Sequence, residues 1–453
     1  MKEKSNVNDV DRSLYDFRND EKETYRLNSG LTKDIVEQIS TEKNDPDWMK
    51  EFRLKSLDVY NRTEMPNWGP SIEGLDVDNI VTYVRSNTKM KGDWSEVPDD
   101  IKDTFDRLGI PDAEKKSLAG VGAQYDSELV YHNIREEVAA LGVIYTDLES
   151  AMWGEYGEMI REHFMKLVPP TDHKFAALHG AVWSGGSFVY VPKGVSVDIP
   201  LQSYFRLNAK GAGQFEHTLI IVDEGASLHF IEGCSAPKYN VANLHAGCVE
   251  LFVGKNAKLR YSTIENWSKN MYNLNTKRAI VSENAKMEWV SGSFGSHTSF
   301  LYPMTILSGE NSKMEFTGIT FAGKGQDLDT GAKVSHQAKN TSSFINTRSI
   351  SKDGGLNTFR SSVSMTKGSE GSTASVSCQS LMLDSISRSD TIPAMDIRCN
   401  DVTVGHEASI GRISDDAIFY LMSRGLSEED ARAMIVNGFC DNVSKELPLE
   451  YAV

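Results

Sequence analysis

A nine-residue motif that returns every 27 to 31 residues constrains the fold of this chain more than any other feature of its sequence. Five copies stand out: VPKGVSVDI at Val191, VDEGASLHF at Val222, VGKNAKLRY at Val253, VSENAKMEW at Val281 and SGENSKMEF at Ser308. The fourth position of every copy is Gly or Asn. These residues tolerate the left-handed backbone conformation that a sharp corner between strands requires. The motif therefore predicts a recurring corner.

A corner that recurs at this period is typical of a parallel β-solenoid, in which each coil buries its apolar face against the next. The small residue and the Leu or Met that follow each corner are predicted to point inward. Weaker copies at Gln337 and Val404 extend the pattern. An antiparallel sandwich is the alternative, but its turn signals recur at roughly 8 to 12 residues. The spacing favours the solenoid.

Helical periodicity dominates the chain before residue 170. Leu31, Ile35 and Ile39 lie at helical spacing behind a possible cap at Ser29. Further helices are predicted over DPDWMKEFRLKSLDVYN, over DDIKDTFDRLGI and, as one longer helix, over YTDLESAMWGEYGEMIREHFMKLV.

Helical signals return after residue 410. SDDAIFYLMSRG predicts a helix that is capped by Ser414 and ends at Gly425, SEEDARAMIVNG predicts a second, and FCDNVSKELPLEYAV is a candidate third. The first of these helices is strongly apolar, through Ile418, Phe419, Leu421 and Met422. Such a helix either caps the solenoid or docks another protein, and the pattern leaves both open.

Together these patterns divide the chain into three predicted parts. We expect a mostly helical N-terminal domain over residues 1–170, a parallel β-helix core over residues 171–411 and a helical segment over residues 412–453. The chain is thus expected to be a mainly β protein with helices at both ends.

Composition limits the classes of partner and compartment. A formal net charge of −16 argues against nucleic acid as a partner. The chain begins without an apolar signal segment and has no apolar run near about 18 residues, which predicts a cytosolic protein without membrane contact. Its five cysteines are scattered without a C-x-x-C motif, which indicates reduced thiols. No G-x-x-x-x-G-K-[ST] motif is present, so we expect no nucleotide bound by this chain's own motifs.

Cys234 is the candidate reactive residue, in the stretch EGCSAPKYNVANLHAGC. Arg206 and Asn208 are two residues apart, so on a strand their side chains share a face. Arg206 precedes Cys234 by 28 residues, about one coil, which predicts a guanidinium group near the thiol. A neighbouring cation lowers a cysteine pKa and favours the nucleophilic thiolate. Alternatively, Cys234 is an inert buried thiol, as is predicted for Cys248.

His406 and Glu407 are adjacent residues of types that bind metals. On a strand they point to opposite faces, so only one of them can face a given pocket. Cys378 or Cys399 could complete a site of thiolate, imidazole and carboxylate, and spacing does not choose between them. A solvated strand edge is the alternative interpretation of the His–Glu pair.

Asp327 and Asp329 form another candidate site. Paired carboxylates on one face of a strand are of the kind that glycoside hydrolases and Ca²⁺ sites use. A polysaccharide-active β-solenoid is therefore the alternative function, and a polar turn before Thr330 is the simpler interpretation of the two residues. A purely structural solenoid is a third class.

Four long segments carry a resemblance to a known family: KSLAGVGAQYDSELVYH, FAALHGAVWSGGSFVYVPKGV, YFRLNAKGAGQFEHTLIIVDEGASLHFIEGCSAP and ISDDAIFYLMSRGLSEEDARAMIVNGFCDNVSKELPLEYAV. From about residue 20 onward the chain resembles the SufB/SufD family of iron–sulfur cluster assembly proteins, and its N-terminal and EGC-containing segments are closer to the SufB members. The resemblance implies an N-terminal helical domain, a right-handed parallel β-helix and C-terminal helices that bind SufC, an ABC-type ATPase.

The resemblance also implies roles for individual residues. Cys234 matches the cysteine that accepts persulfide sulfur, and Arg206 and Asn208 match polar residues of the sulfur path. His406 and Glu407 match a His–Glu pair near the nascent cluster, at the interface with a partner β-helix subunit, and we expect both to help retain iron.

One position departs from the family pattern. Some members carry a further functional cysteine where this chain has Ser387, in the loop DSISRSDTIP. We therefore expect Cys378, just upstream, to serve as a metal ligand in its place.

The function implied by the resemblance is that of a scaffold rather than an enzyme. A transient iron–sulfur cluster is the expected cofactor, built with sulfur from a cysteine desulfurase and its sulfur carrier and then passed to client proteins. The expected partners are SufC, which would hydrolyse ATP, and either SufD or a second copy of this chain. We expect the ATPase to dock on the C-terminal apolar residues Ile418, Phe419, Leu421 and Met422.

Overall fold

The computed structural model describes residues 13–19, 23–86, 90–110, 118–444 and 446. These residues form a mainly β structure, in which a parallel β-solenoid of about eight coils is preceded and followed by helices. The predicted fold class is confirmed.

The helices of the described residues cluster at the two ends of the chain. The α-helices are α1 Ser13–Asp16, α2 Lys33–Glu42, α3 Asp47–Arg62, α4 Asp99–Arg107, α5 Glu136–Ala139, α6 Leu148–Ala151, α7 Gly157–His163, α8 Lys174–Val182, α9 Asp415–Ser423 and α10 Glu428–Ser444. Two single turns of 3₁₀ helix span Val77–Asn79 and Trp94–Glu96.

Strands fill most of the chain between α8 and α9. The strands are β1 Glu23–Arg26, β2 Val84–Ser86, β3 Gly120–Tyr125, β4 Glu128–Ile134, β5 Ile144–Asp147, β6 Ser187–Val191, β7 Leu201–Arg206, β8 Gly213–Gln214, β9 His217–Val222, β10 Ser227–Ser235, β11 Asn243–His245, β12 Cys248–Val253, β13 Lys258–Asn266, β14 Met271–Asn273, β15 Thr276–Val281, β16 Lys286–Ser293, β17 Thr298–Leu301, β18 Met304–Leu307, β19 Lys313–Ala322, β20 Asp327–His336, β21 Ser342–Ser351, β22 Leu356–Met365, β23 Ser372–Met382, β24 Arg388–Ile397 and β25 Val402–Arg412.

Two long sheets form the walls of the solenoid. One runs in the order β25-β23-β21-β19-β16-β13-β10-β7-β3-β4, and the other contains β5-β6-β9-β12-β15-β18-β20-β22-β24 together with the short strands β17-β14-β11-β8. Strand β20 pairs with both β17 and β18, so the later coils have one continuous strand where the earlier coils have two short ones. Pairing is parallel throughout, apart from β3 with β4 and β5 with β6.

The predicted corners lie where the repeats place them. Their Gly and Asn residues have left-handed φ angles: 74° at Gly194, 69° at Gly225, 57° at Asn256, 57° at Asn284 and 61° at Asn311. The N–H of Asn256 donates to the carbonyl of Glu283 on the next coil at 2.9 Å, and corresponding bonds link the other corners. Each corner therefore satisfies its backbone donor through the coil that follows.

The coils stack in register behind these corners. Lys258 pairs with Lys286, and Lys286 pairs with Lys313, so equivalent motif positions are direct neighbours. The small and aliphatic residues that follow the corners are buried, as predicted, except for the half-buried Val195 of the first copy. The same alternation builds an internal ladder of large side chains, namely Phe230, Tyr261, Trp289, Phe316 and Ile345.

The weak motif copy at Val404 is not a corner. Its fourth residue, Glu407, lies inside the continuous strand β25. Gly and Asn adopt the left-handed conformation of a corner readily, whereas Glu is strained there. This copy therefore resembles the others only in composition.

The N-terminal segment departs from its prediction in two places. Thr32, rather than Ser29, caps α2, because its Oγ1 accepts the N–H of Ile35 at 3.3 Å. The single long helix predicted from Tyr145 onward is wrong: this segment forms β5, α6 and α7. Pairing of β5 with β6 holds the backbone extended, and Asp147 then caps α6 by accepting the N–H of Ser150 at 2.7 Å.

The first strands of the solenoid precede residue 171. β3 pairs in parallel with β7, and β5 pairs with β6, although β3 and β5 lie within the segment predicted as the helical domain. Helix α8 follows residue 171 and is buried from Phe175 to its end. The division of the chain at residue 171 stays a prediction.

At the C-terminal end, α9 begins and ends as predicted. Ser414 Oγ accepts the N–H of Ala417 at 3.2 Å, and Gly425 follows the helix with φ of 96°. The break predicted at Gly438 is wrong, because α10 continues to Ser444. Most of the remaining residues of the candidate third helix lie outside the described residues. No helix in the described part of the chain is long and apolar enough to cross a membrane.

We expect replacement of Asn284 by Ala to lower the free energy of unfolding by about 1 to 2 kcal/mol, because a Cβ-bearing residue without a local hydrogen bond is strained at left-handed φ. Asn284→Gly should cost less than Asn284→Ala, although both lose the bond from Asn311 Nδ2 at 3.0 Å. Urea denaturation followed by circular dichroism measures the difference. Asn28→Ala, at an exposed residue outside the left-handed region, is the control. Equal losses for Ala and Gly would contradict the strain argument.

Candidate functional site

Cys234 points into the solenoid from strand β10. Its side chain is 1% exposed and shares the inward face with Phe230 and Glu232. On the neighbouring coils it pairs with Phe205 and Glu265. The thiol Sγ lies 3.9 Å from Glu232 Oε1 and is oriented to donate to it. Burial and the Glu232 carboxylate raise the pKa of the Cys234 thiol well above its usual value, so the resting sulfur is protonated.

A buried lysine joins two carboxylates beside this thiol. Lys277 Nζ lies 2.6 Å from Glu232 Oε1 and 3.4 Å from Glu265 Oε1, and it donates to Thr263 Oγ1 at 2.8 Å. Tyr261 OH also donates to Glu232. Although burial favours the neutral amine, the two carboxylates raise the pKa of Lys277. Although burial opposes ionisation, Lys277 in turn holds the pKa of Glu232 below its usual value.

A histidine extends this polar interior. His245 Nε2 lies 2.5 Å from Glu216 Oε1, and His245 Nδ1 lies 2.7 Å from Asn273 Oδ1. Asn273 Nδ2 donates to Glu265 Oε2 at 2.5 Å, which connects the histidine to the lysine pair. Although burial opposes protonation, the Glu216 carboxylate raises the pKa of His245. We call this group the interior polar cluster; its members are Glu216, Glu232, Cys234, His245, Glu265, Asn273 and Lys277.

The predicted stacking of Arg206 on Cys234 is wrong by one residue. The register of β7 and β10 pairs Arg206 with Ser235, and it pairs Phe205 with Cys234. Arg206 therefore lies on the opposite face of the sheet, where it donates to Ser235 Oγ at 2.9 Å. The spacing of 28 residues was one short of the true offset between neighbours, and a single step reverses the face.

Arg206 and Asn208 instead hold the N-terminal segment. Arg206 donates to the carbonyls of Tyr15 at 2.8 Å and Phe17 at 2.5 Å. Asn208 Oδ1 accepts the N–H of Asn19 at 3.3 Å. Both side chains are buried, so they fix residues 15–19 against the outside of the solenoid near Ser235.

Cys378 and His406 come together across adjacent coils. Cys378 Sγ lies 3.8 Å from His406 Nε2 and 3.6 Å from Thr391 Oγ1. The cysteine is 1% exposed, whereas His406 is half-buried because its strand, β25, is the last of the sheet. Glu407 is exposed on the opposite face, as expected for the next residue of a strand.

These residues lie next to an open end of the solenoid. In the described part of the chain, β24 pairs only with β22 and β25 only with β23, which leaves their outer edges without a strand partner. Several apolar side chains on these two strands are roughly 40% exposed, namely Ile392, Met395, Ile397 and Ile410. An unpaired edge with exposed apolar residues is a surface on which another chain can dock.

Ser387 has a structural position in the turn before β24. Its Oγ donates to Asp384 Oδ2 at 3.0 Å and accepts the N–H of Gly354 at 3.1 Å. Cys399 is half-buried in the connection between β24 and β25.

Asp327 and Asp329 lie on one strand rather than in the predicted polar turn. Both belong to β20, and Asp329 is 1% exposed. Arg360 binds Asp329 through Nη2 at 2.6 Å and Nε at 3.2 Å. Because this carboxylate is neutralised by a guanidinium group, the pair does not form the two free carboxyl groups that glycoside hydrolysis uses.

The four predicted docking residues divide into two groups. Ile418 is buried and Leu421 packs against the same small core, which joins α9 to α10. Phe419 is 73% exposed and Met422 is 42% exposed. Tyr420 on α9 and Met434 on α10 are also about half exposed, and we call these exposed apolar side chains the C-terminal apolar patch; its members are Phe419, Tyr420, Met422 and Met434.

The interior polar cluster was missed from the sequence, although a signal was present. Glu265 follows Cys234 by one 31-residue coil, and Glu232 shares its strand face. Lys277 lies two residues before Ala279 and four before Val281, both core residues, so its side chain points to the same inward face of the strand. Counting every second residue from the corners would have placed Glu232, Glu265 and Lys277 inside the solenoid.

Comparison with known proteins agrees with this architecture. Two family models match the chain: the SufBD protein N-terminal region over residues 33–203, and the SufBD core domain of the SUF system for FeS cluster assembly over residues 205–439. The iron-sulfur cluster assembly protein SufB of Bacillus subtilis (strain 168) is 50% identical over 445 residues, which cover 98% of this chain and 96% of that protein. An iron-sulfur cluster assembly SufBD family protein of Staphylococcus aureus (strain MRSA252) is likewise 50% identical, with the same coverage. The resemblance is thereby confirmed, and this chain belongs to the SufB/SufD family of iron–sulfur cluster assembly proteins.

Proposed function

We propose that this chain is a cytoplasmic, non-enzymatic scaffold that accepts sulfur on Cys234 and assembles an iron–sulfur cluster at the open end of its solenoid. The observation that supports this most directly is the position of Cys234 inside the interior polar cluster, next to Glu232 and Lys277. A purely structural solenoid would bury an apolar side chain there.

Sulfur transfer to Cys234 is a thiol exchange without net oxidation. The Cys234 sulfur attacks the terminal sulfur of a donor persulfide, the donor S–S bond breaks, and the donor leaves as a thiolate. The thiol proton passes to the departing donor thiolate, because, despite burial, Lys277 holds the pKa of Glu232 below its usual value and makes that carboxylate a poor base. Lys277, which contacts Glu232 at 2.6 Å, supplies the positive charge that stabilises the anionic persulfide. A cysteine desulfurase with its sulfur carrier is the proposed donor.

Arg206 and Asn208 are proposed to act on the sulfur path through residues 15–19, which their side chains hold. Their bonds to residues 15–19 fasten that segment beside Ser235, the residue next to Cys234. Release of these bonds would uncover the outer face of the sheet at Ser235, the residue next to Cys234. Both are thus positioning residues for the sulfur path rather than contacts of the thiol.

Iron is proposed to bind near Cys378 and His406. Thiolate and imidazole are ligand types that suit iron, and the two side chains are 3.8 Å apart. Glu407, on the exposed face of the same strand, is placed to meet a partner at the open edge. Cys378 serves in place of Ser387, whose hydroxyl is engaged with Asp384.

Two protein partners are proposed for the exposed surfaces. A second β-helix subunit, SufD or another copy of this chain, is proposed to dock on the open edges of β24 and β25. SufC, the ABC-type ATPase, is proposed to dock on the C-terminal apolar patch and to supply the motion that exposes the cluster. The polysaccharide-active alternative has no support, because Asp329 is paired with Arg360.

We expect Cys234→Ala to abolish sulfur acceptance from a desulfurase and Cys378→Ala to abolish retention of a cluster. Sulfane sulfur bound to the chain is measured by labelled-sulfur transfer, and the cluster by visible absorption after anaerobic reconstitution with iron and sulfide. Cys234→Ala should still hold a cluster built from free sulfide, because its thiol delivers sulfur rather than binding iron.

Cys399→Ala is the matched control, since this cysteine is half-buried near the same end of the solenoid, and it should behave as wild type. Sulfur acceptance by Cys234→Ala, together with a stable cluster in Cys378→Ala, would disprove the assignment of both residues.

We expect Phe419→Ala to weaken binding of the ATPase by about 2 kcal/mol, a roughly 30-fold rise in Kd, because exposed aromatic anchors dominate interfaces. Isothermal titration measures this loss. Leu141→Ala, a truncation of another apolar side chain that is about half exposed, is the control and should leave the Kd unchanged.

Ile418→Ala distinguishes an effect on the stability of α9 from an effect on ATPase binding by the same helix. It removes a buried side chain and should lower the stability of the α9–α10 pair by about 2 to 5 kcal/mol.

If the double variant Phe419→Ala and Met422→Ala binds the ATPase as tightly as wild type, the ATPase docks elsewhere on the chain.

A further inference from the structure

Three side chains of metal-binding types meet between the helical layer and the outside of the solenoid. They are His179 on α8, His217 on β9 and Cys248 on β12, and each is at most 1% exposed. One ligand atom of each lies within 4.8 Å of the other two. His217 and Cys248 are direct neighbours in the register of β9 and β12, and α8 brings His179 over them.

The hydrogen bonds around His179 fix its tautomer. Its Nδ1 lies 2.9 Å from the carbonyl of Ala246, and a carbonyl only accepts. Nδ1 therefore carries the proton, and Nε2 carries a lone pair. That lone pair lies 3.0 Å from Nδ1 of His217.

The other nitrogen of His217 faces a carboxylate. His217 Nε2 lies 3.2 Å from Glu250 Oε2. Glu250 is held as an acceptor by the backbone N–H groups of Met165 at 2.5 Å, Leu167 at 2.6 Å and Val168 at 2.9 Å. An acceptor carboxylate favours a proton on Nε2, which leaves the Nδ1 lone pair of His217 directed at the lone pair of His179.

No neutral form of His217 satisfies both neighbours. With the proton on Nε2, two lone pairs face each other at 3.0 Å; with the proton on Nδ1, a lone pair faces the Glu250 carboxylate at 3.2 Å. A cation between the two rings removes the conflict. An extra proton on His217 is one such cation, and a metal ion is the other. Cys248 distinguishes the two, since a proton shared by the rings gives no role to a third ligand.

We propose that His179 Nε2, His217 Nδ1 and Cys248 Sγ bind one Zn²⁺ ion. Nitrogen and thiolate ligands select zinc over hard cations such as Mg²⁺ or Ca²⁺. In a tetrahedral zinc site two nitrogens lie roughly 3.3 Å apart, close to the 3.0 Å between these rings. Binding displaces the proton of the Cys248 thiol to solvent, because the thiolate is the ligand.

The surroundings of the two rings match those of metal-bound histidines. Such a histidine usually donates its other ring N–H to a carbonyl or a carboxylate, which orients the ring and raises its basicity. His179 has the Ala246 carbonyl in this position, whereas the Glu250 carboxylate lies 3.2 Å from His217 Nε2 in an ion-pair contact without hydrogen-bond alignment. The same Glu250 binds the backbone of residues 165–168, so the site connects the segment before α8 to strand β12.

This site is separate from the proposed cluster chemistry. Cys248 points out of the sheet toward Val168 and Ala176, whereas Cys234 points into the solenoid. With one ligand each from α8, β9 and β12, the zinc ion would fasten the helix to the two strands.

The test uses the full chain, reduced and stripped of metal with a chelator, and Co²⁺ as a spectroscopic probe for the zinc site. We expect one equivalent of Co²⁺ to give a thiolate-to-cobalt charge-transfer band and Zn²⁺ to displace it. Cys248→Ser should lose the band, and His179→Gln should lose or shift it. Cys234→Ala, at an equally buried thiol, and Cys378→Ala, at the proposed iron site, should retain it, which keeps this result independent of the proposed function.

Two further measurements guard against variants that do not fold. X-ray absorption of the wild-type zinc protein should show one sulfur and two imidazole nitrogens, and Zn²⁺ should raise the Tm of wild type but not of Cys248→Ser. A band that survives in Cys248→Ser, a zinc shell without sulfur, or no Co²⁺ band at all would overturn the proposal. Preference for Fe²⁺ over Zn²⁺ would overturn the choice of metal.

Discussion

The left-handed corner is the constraint on which the rest of this structure depends. Each coil must change direction at one residue, and Gly or Asn does so at the lowest conformational cost. The corner N–H then donates to a carbonyl of the next coil, for example from Asn284 to Glu310 at 2.9 Å. Because every corner is tied to the next, the coils stack in register. That register decides which side chains of every strand enter the solenoid.

The interior shows what this register permits. An aliphatic and aromatic core fills one part, and charged groups occupy another. Burying Lys277 with Glu232 and Glu265 requires desolvation of all three, and an apolar replacement of similar volume is often as stable. Stability therefore does not account for these charges. Their position around Cys234 supports a chemical role for the interior.

Side chains alternate between the two faces of each strand, and this alternation separates the interior polar cluster from the residues that meet the helical layer. The inward faces of β10 and β13 contribute Glu232, Cys234 and Glu265 to the interior polar cluster, while outward residues of β9 and β12 meet the helical layer. Glu232 thus faces the solenoid core, and Glu250 binds the backbone of residues 165–168. The two groups lie on different faces but are not independent, because the N–H of Cys248 donates to the backbone carbonyl of Glu216 at 3.0 Å.

The sequence by itself determined the corners, the solenoid and the caps of α9, since these depend on single residues and local spacing. It also placed His406 and Glu407 on opposite faces, because alternation along a strand is local. The long helix predicted from Tyr145 failed, since its backbone is held extended by β6, where Tyr190 pairs with Ile144 across 46 residues of sequence. The repeat gave the period of the coils but not the exact offset between neighbours. Arg206 was therefore assigned to the wrong face, and only the pairing with Ser235 corrected it.

Tertiary structure alone decided which functional groups meet. Cys378 and His406 are 28 residues apart, and they reach 3.8 Å only because β23 and β25 are adjacent. His179 reaches His217 because α8 packs on the outside of the sheet. Such contacts join distant segments, and their geometry depends on register and on the path of the chain between coils. Neither quantity is encoded at the residues that touch, which is why a local pattern cannot supply them.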